Sequence, residues 1–315
     1  MNNITLQPEL TLETLIEGTP SLAEDFIASQ VFPEVSSKTL TGYFGRIDEG
    51  ATRIVPTMVK GLAQNVVNYK LDRNASFEVI NHELVNVIEA GEAERAGGWD
   101  AAKETMAFLL DNQIRISREA AIANGLVTAL TNGSNIATLA GGNQWSTPTS
   151  VVLSVIKTAK DNVARTGKIA NTIIMGYPVF AALQFHPEII SALSPGKATP
   201  GLYTAEQMAM AFGVDRVLVG RAVYNSAKEG QAASTNFIWG KNAIVAYIAP
   251  SALAKFSKTL GAQVKCPDKA RPSYIGSYIP TGKNPEQVQA LVSGGNWDDK
   301  IITVNAGWLI KDAVA

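Results

Sequence analysis

Apolar and polar positions change rhythm several times along the 315 residues, and each change marks a different element. From Tyr43 to about Val79 the rhythm is period two. Val67, Tyr69 and Leu71 alternate with Asn68, Lys70 and Asp72, and Phe77 and Val79 flank Glu78. This predicts an extended β-hairpin over 42–82, polar on much of both faces and punctuated by Gly45, Gly50 and Gly61. Such a hairpin is marginal alone and needs support from its own body or from a neighbouring chain. From Trp99 to Leu130 the period lengthens to that of a helix. Met106, Leu109, Leu110 and Ile114 form a stripe that Ile116, Ala120, Ala123, Val127 and Leu130 continue. Asp111–Arg115 and Arg115–Glu119 are spaced as i,i+4 ion pairs, and Gly133 is the stop. At 1.5 Å per residue the predicted helix is about 45 Å long, a strut.

Beyond Gly141–Gly142, read as a turn, the pattern is α/β. A helix is predicted over 149–165, a strand over Thr172–Gly176 and a helix from Pro178 to Leu193. A short helix follows at Thr204–Phe212, with Thr204 as N-cap and Gln207 completing a capping box. Strands are predicted at Arg216–Val219, Val223–Tyr224 and Phe237–Ile248. Residues 255–315 read as β-rich, with a helical turn at Glu286–Val292, a turn at Gly294–Gly295 and a strand pair within Ile301–Ile310. The first 41 residues differ from all of this. Pro8, Pro20 and Pro33 interrupt short apolar patches, as in an arm that cannot fold alone. Its apolar anchors Phe26, Ile27, Val31 and Phe32 need another surface to cover them.

Composition sharpens the picture. Charged residues are 17% of the chain, against roughly 25% in an average soluble domain. A large charge-poor chain of this kind is expected to hide surface against neighbours, because interface cores are depleted in charge, with a charge-poor monomer as the alternative. The net charge of −1 gives no overall basic footprint for nucleic acid. Locally the signs separate. Glu9, Glu13, Glu17, Glu24, Asp25 and Glu34 precede the first basic residue, Lys38. Lys255, Lys258, Lys265, Lys269 and Arg271 are opposed only by Asp268. The acidic arm of one subunit is therefore expected to dock near the basic stretch of another. The same lysines suit DNA phosphates equally well, or simple solvation. The single cysteine, Cys266, excludes an intrachain disulfide and points to a reducing compartment. The start at Met1 is acidic and polar, unlike a secretory signal, and the longest apolar run, Ala243–Ala254, is far short of the ~20 residues a membrane span needs.

Candidate chemistry adds little. Gly45–Thr52 has the glycine spacing of a phosphate loop but carries Ala51 where the lysine belongs. His82-Glu83-Leu84-Val85-Asn86 is one residue from a zinc-protease helix, with Asn86 replacing the second histidine. The other histidine, His186, precedes Pro187 and reads as a cap or spacer of a turn. Glu92 and Glu94 lie close together without visible apolar enclosure, and no serine sits in a nucleophile elbow. Catalytic, cofactor and metal residues are all expected to be none, and the chain is expected to be a self-assembling structural subunit, not an enzyme.

Five blocks resemble the major capsid protein of tailed bacteriophages, the Hong Kong ninety-seven type fold shared with encapsulins. They are Phe26–Val35, Tyr43–Arg53, Asn171–Leu193, Phe212–Gly230 and Asn305–Val314. The resemblance implies an α+β capsid fold: an N-terminal arm (1–41), an extended hairpin loop (42–82), a peripheral domain with a spine helix (83–149), an α/β axial domain (150–254) and a return to the peripheral domain (255–315). It implies self-assembly through hexamers and pentamers into an icosahedral shell around double-stranded DNA, in a virion assembled in a bacterial cytoplasm. An encapsulin-like compartment around a cargo protein is the alternative. Expected partners are further copies of the chain, a portal, a separate scaffolding protein and packaged DNA held non-specifically, with no membrane. The subunit contacts are placed at Glu9, Glu13, Glu17, Phe26, Phe32, Lys60, Tyr69, Lys70, Lys255, Lys258 and Lys265. Some relatives join Lys to Asn between subunits; Lys60, Lys70, Asn296 and Asn305 are the positions at hand, and nothing in the sequence selects them.

Overall fold

One helix bridges two sheets. The computed structural model describes residues 26–44, 76–193, 203–228, 230–250 and 258–315, with strand backbones at 7–8, 46–47 and 71–72. In chain order the strands are β1 (Gln7–Pro8), β2 (Glu34–Ser36), β3 (Thr41–Tyr43), β4 (Arg46–Ile47), β5 (Leu71–Asp72), β6 (Ser76–Glu78), β7 (Ile80–Glu89), β8 (Ile136–Thr138) and β9 (Thr172–Gly176). They continue with β10 (Arg216–Gly220), β11 (Val223–Asn225), β12 (Thr235–Phe237), β13 (Ala243–Ala246), β14 (Gly261–Lys265), β15 (Tyr274–Tyr278), β16 (Val288–Ile301) and β17 (Gly307–Lys311). The helices are α1 (Ala28–Val31), α2 (Ala90–Arg95), α3 (Trp99–Asn132), α4 (Val152–Ala164), α5 (Tyr177–Gln184), α6 (Pro187–Leu193) and α7 (Ala205–Phe212).

The first sheet has the order β1-β15-β16-β14-β2, with β7 paired along β16 from Val288↔Glu89 to Trp297↔Ile80. The second has the order β10-β9-β13-β17-β8. Every residue of β9 and β13 is buried, which explains their unbroken apolar sequences. Ile173, Met175, Val217 and Val245 face α4 to α7, where Ile156, Val163, Phe180, Leu183 and Met208 fill the larger core. Ile174, Leu218, Ile244 and Leu309 face the other way, onto Ile122, Ala123, Leu126 and Leu130 of α3. Toward its N-terminal end α3 lays Ala102, Ala107 and Leu110 on Ile88, Ile275 and Leu291 of the first sheet. The 34-residue helix, about 51 Å at 1.5 Å per residue, thus crosses from one core to the other.

Several expectations change. Leu109, placed on the buried stripe, is exposed, and Ala107 and Leu110 take the inward positions. Glu119 does not face solvent to pair with Arg115; it turns into the core, while Asp111–Arg115 forms at 2.7 Å. The helix expected from Pro178 to Leu193 is two helices, since Pro187 disfavours helical backbone at His186. The strand expected over Phe237–Ile248 splits into β12 and β13 around Gly240, whose φ of 55° ends the first piece. The Glu286–Val292 helical turn is the entry to β16, a 14-residue strand. Gly294 and Gly295 lie inside that strand and are not a turn. A Cβ on Gly294 would sit 2.6 Å from the His82 carbonyl oxygen, and one on Gly295 2.2 Å from that of Pro272, so close backbone approach requires both glycines. The Ile301–Ile310 segment is the end of β16, a 3-10 turn and then β17. The 255–315 tail does not stay in one place either: β14, β15 and β16 join the first sheet, while β17 joins the second.

Candidate functional site

At the base of the hairpin, β3 pairs antiparallel with β6 (Thr41↔Glu78) and β4 with β5 (Arg46↔Asp72), two nested ladders that carry the chain out and back. The Glu78 amide donates to Asp298 at 2.9 Å, fixing this base to β16. Beside it a groove of about 580 Å³ lies between β7, α3 and β16, lined by residues including His82, Glu83, Arg118 and Trp297. His82 stacks on Trp297 with ring centroids 4.6 Å apart, so the near-zincin motif is a strand whose histidine packs. On its floor Arg118 makes a two-pronged pair with Asp299 at 2.8 and 2.9 Å. Val85 and Val87 stand half exposed on one face of β7, Tyr43 is 63% exposed, and among the described residues no strand covers the other edge of β7. A ten-residue edge of this kind is a surface that folded proteins usually manage by covering it.

The root of the arm is seated on its own chain. Ile27, Ala28, Val31 and Phe32 are buried against α3 and Leu260, and β2 runs parallel to β14 (Val35↔Val264). Phe32, expected at a contact between subunits, is 1% exposed and fills the protomer's own core. Phe26 is half-buried. Farther up the arm, β1 pairs with β15 of the same chain (Gln7↔Ser277). Lys265 donates to Glu34 at 2.7 Å, so at this point the acidic and basic stretches meet inside one chain. Lys258 donates to the Thr166 carbonyl at 3.2 Å, next to the end of α4. Glu9, Glu13, Glu17, Lys60, Tyr69, Lys70 and Lys255 lie outside the described residues, as does most of the near phosphate loop at 45–52. Asn296 donates to the Arg271 carbonyl at 2.9 Å and Asn305 accepts from Asn135 at 3.0 Å.

The residue that sequence reasoning missed is Glu119. It is fully buried, and its carboxylate accepts from the amides of Ile27 (3.1 Å) and Ala28 (2.8 Å) and from the indole nitrogen of Trp239. Burial pushes its pKa above the ordinary carboxylate range, and the hydrogen bonds from Trp239, Ile27 and Ala28 and the charge of Arg118 oppose that rise. Its spacing to Arg115 and Asp111 disguised it as a surface ion-pair partner. A second missed constellation, Ser150–His186–Glu188, resembles a hydrolytic triad in composition only. His186 Nδ1 accepts from the Glu188 amide at 3.3 Å, so the proton sits on Nε2, which donates to Ser150 Oγ at 3.1 Å. An activated serine needs the opposite polarity. The Glu188 carboxylate instead accepts from the amides of Val152 and Leu153, capping α4, which therefore starts at 152 and not 149. Glu92 similarly accepts from the Glu89 amide at the start of α2. Among the described residues no three His, Cys, Asp or Glu side chains gather as a metal site, and no helix is long and apolar enough to cross a membrane.

Two sheets bridged by a long helix, with an arm root and a hairpin base beside it, define the phage capsid fold of the Hong Kong ninety-seven type. A phage-related protein from Bordetella bronchiseptica superposes with a TM-score of 0.70 over 98% of both chains, at 16% identity. The capsid of cyanophage P-SCSP1u does so at 0.56, covering 91% of this chain and 88% of that one at 8% identity. The SrpI encapsulin of Synechococcus elongatus gives 0.56 over 98% and 96% at 11% identity. In sequence the chain is similar to the major capsid protein of Burkholderia phage BcepMu, 26% identical over 117 residues, 37% of this chain and 36% of that one. It is also similar to the major capsid protein of Pseudomonas phage JBD67, 28% identical over 150 residues, 48% and 46% of the two chains. These alignments span under half the length of either relative. No family model matches the chain.

Proposed function

We propose that the chain is a major capsid protein of a tailed phage or prophage, which self-assembles through pentamers and hexamers into an icosahedral shell around double-stranded DNA. The observation that carries this reading is the agreement between a whole-chain capsid fold and sequence similarity to two phage major capsid proteins. The role is structural, without catalysis or a cofactor. Repeated contacts between identical copies close the shell, each weak alone. The exposed β7 edge, the half-exposed Val85 and Val87 and the hairpin base are surfaces that a neighbouring copy would cover. Residues 42–82 serve as the extended loop, α3 as the spine, and the sheet built on β9 and β13 as the centre of the axial domain. Portal, scaffold and non-specifically bound DNA are the further partners, and the site of action is the virion, assembled in the bacterial cytoplasm.

The similarity to an encapsulin supports a second reading, a compartment around a protein cargo. Particles purified from cells that carry the gene in its natural setting separate the two. After external nuclease treatment, a phage shell releases protected double-stranded DNA, whereas a compartment releases protein and no genome-length DNA. A stable monomer or dimer under all assembly conditions would sink both.

A further inference from the structure

The Glu119 carboxylate joins three elements that are distant in sequence. On one side are the first amides of the arm root, Ile27 and Ala28. On the other is Trp239, which stands at the foot of the β11–β12 ribbon (Val223–Phe237). Both legs of the ribbon meet this indole. Gly220, which leads into β11, lies so close that a Cβ there would be 2.0 Å from Trp239 Cδ1, and the Ile238 amide donates to Ala222 at 3.0 Å. The ribbon itself is exposed on both strands except at Phe237. A second link runs in parallel: Arg216 of β10 donates to the Gln30 carbonyl at 3.3 Å and to Thr172 at 3.1 Å, holding the other end of α1. The arm root is thus clamped at its amide end by Glu119 and at its carbonyl end by Arg216, and both clamps lead to the ribbon.

We propose that Glu119 couples the seating of the arm to the position of the Val223–Phe237 ribbon, so that an event at either one is felt by the other. When the arm root lifts, the carboxylate loses two of its three donors and the Trp239 bond alone must satisfy a buried charge. That is costly enough to draw in water or shift the indole. When the ribbon foot moves, the arm loses the partner that orients its carboxylate anchor. All of these bonds lie within one chain, so the coupling holds whether or not the capsid reading does.

Burial raises the Glu119 pKa, and the donors Trp239, Ile27 and Ala28 lower it, so the seated arm supplies two of the three hydrogen bonds that hold the carboxylate in its charged form. The charge acting on Glu119 is Arg118 of its own helix; residues 26–33 carry no ionisable side chain, and Arg216 is engaged with Thr172 and Gln30.

Hydrogen exchange on the full chain tests this with Glu119→Gln and Trp239→Phe. Trp239→Phe removes the indole donor, together with part of a buried ring, and leaves the arm's own bonds in place. The expected result is exchange at least about tenfold faster both at 27–32 and at 220–239 in each variant, with protection in β7 and β16 unchanged. The proposal is overturned if Trp239→Phe leaves residues 27–32 as protected as before, if Glu119→Gln loosens the arm alone, or if either variant loosens β7 and β16 equally, which would mark a general loss of stability.

Discussion

Gly261→Ala should be among the most damaging single-carbon additions to this chain, and the damage should disappear when Phe32 is shortened. A Cβ at Gly261 would lie 2.3, 2.5 and 2.8 Å from Phe32 Cε1, Cζ and Cδ1. All three distances are below van der Waals contact, and the ring is 1% exposed and packed in the protomer's core. Overpacking of this kind costs about 1–3 kcal/mol. Phe32→Leu lacks Cε1 and Cζ, the two closest atoms, and by itself costs about 1–2 kcal/mol through lost packing. In the Phe32→Leu background the methyl added by Gly261→Ala enters vacated space, so its cost should fall close to zero. The cycle of two single variants and the double variant should then show a coupling of about 1–3 kcal/mol. Urea unfolding of the unassembled chain, followed by far-ultraviolet circular dichroism, measures it. Costs that add within about 0.5 kcal/mol would mean that the arm root does not pack on β14 of its own chain.

Further predictions concern other joints. Arg118→Ala leaves Asp299, mostly buried, without its two-pronged partner; it should lower stability by about 2–4 kcal/mol, and the exchanged pair Arg118→Asp with Asp299→Arg should regain part of it in the same urea assay. Thr204→Ala removes the capping box of α7 and should cost about 1 kcal/mol, read as a shift in urea midpoint with an unchanged slope. Lys265→Glu should cost no more than about 1 kcal/mol in stability, because the Glu34 partner is about half exposed. Replacing Lys255, Lys258 and Lys265 together by Glu should weaken assembly at low salt, measured by light scattering; undiminished assembly would count against a role for the basic stretch between subunits.

The local elements with strong internal period were legible before any coordinates. Trp99–Asn132 announces itself over about nine turns at 3.6 residues each, and Thr204 with Gln207 marks the start of α7 by chemistry that is purely local. The misses have physical causes. β16 reads poorly because its centre is buried on both faces, which removes alternation, and because Gly294 and Gly295 imitate a turn. β17 follows β16 closely yet belongs to the other sheet, a choice made by long-range pairing with β13 and β8. Glu119 was hidden because its donors, Ile27, Ala28 and Trp239, are 92, 91 and 120 residues away and two of them are backbone amides. In the Phe26–Val35 block, Ile27, Ala28, Val31 and Phe32 complete the protomer's own core, a packing set by long-range contact with α3 that local pattern does not show.

If many copies of this chain close into one shell, electron cryo-microscopy of particles formed by the purified protein will show it. Closed icosahedral particles are expected, with density that fits the five-stranded sheet grouped about five- and six-fold positions, the long helix and hairpin base between them and a neighbouring copy over β7. Density that leaves β7 and the hairpin base facing solvent, or a field of separate monomers and dimers, would contradict it.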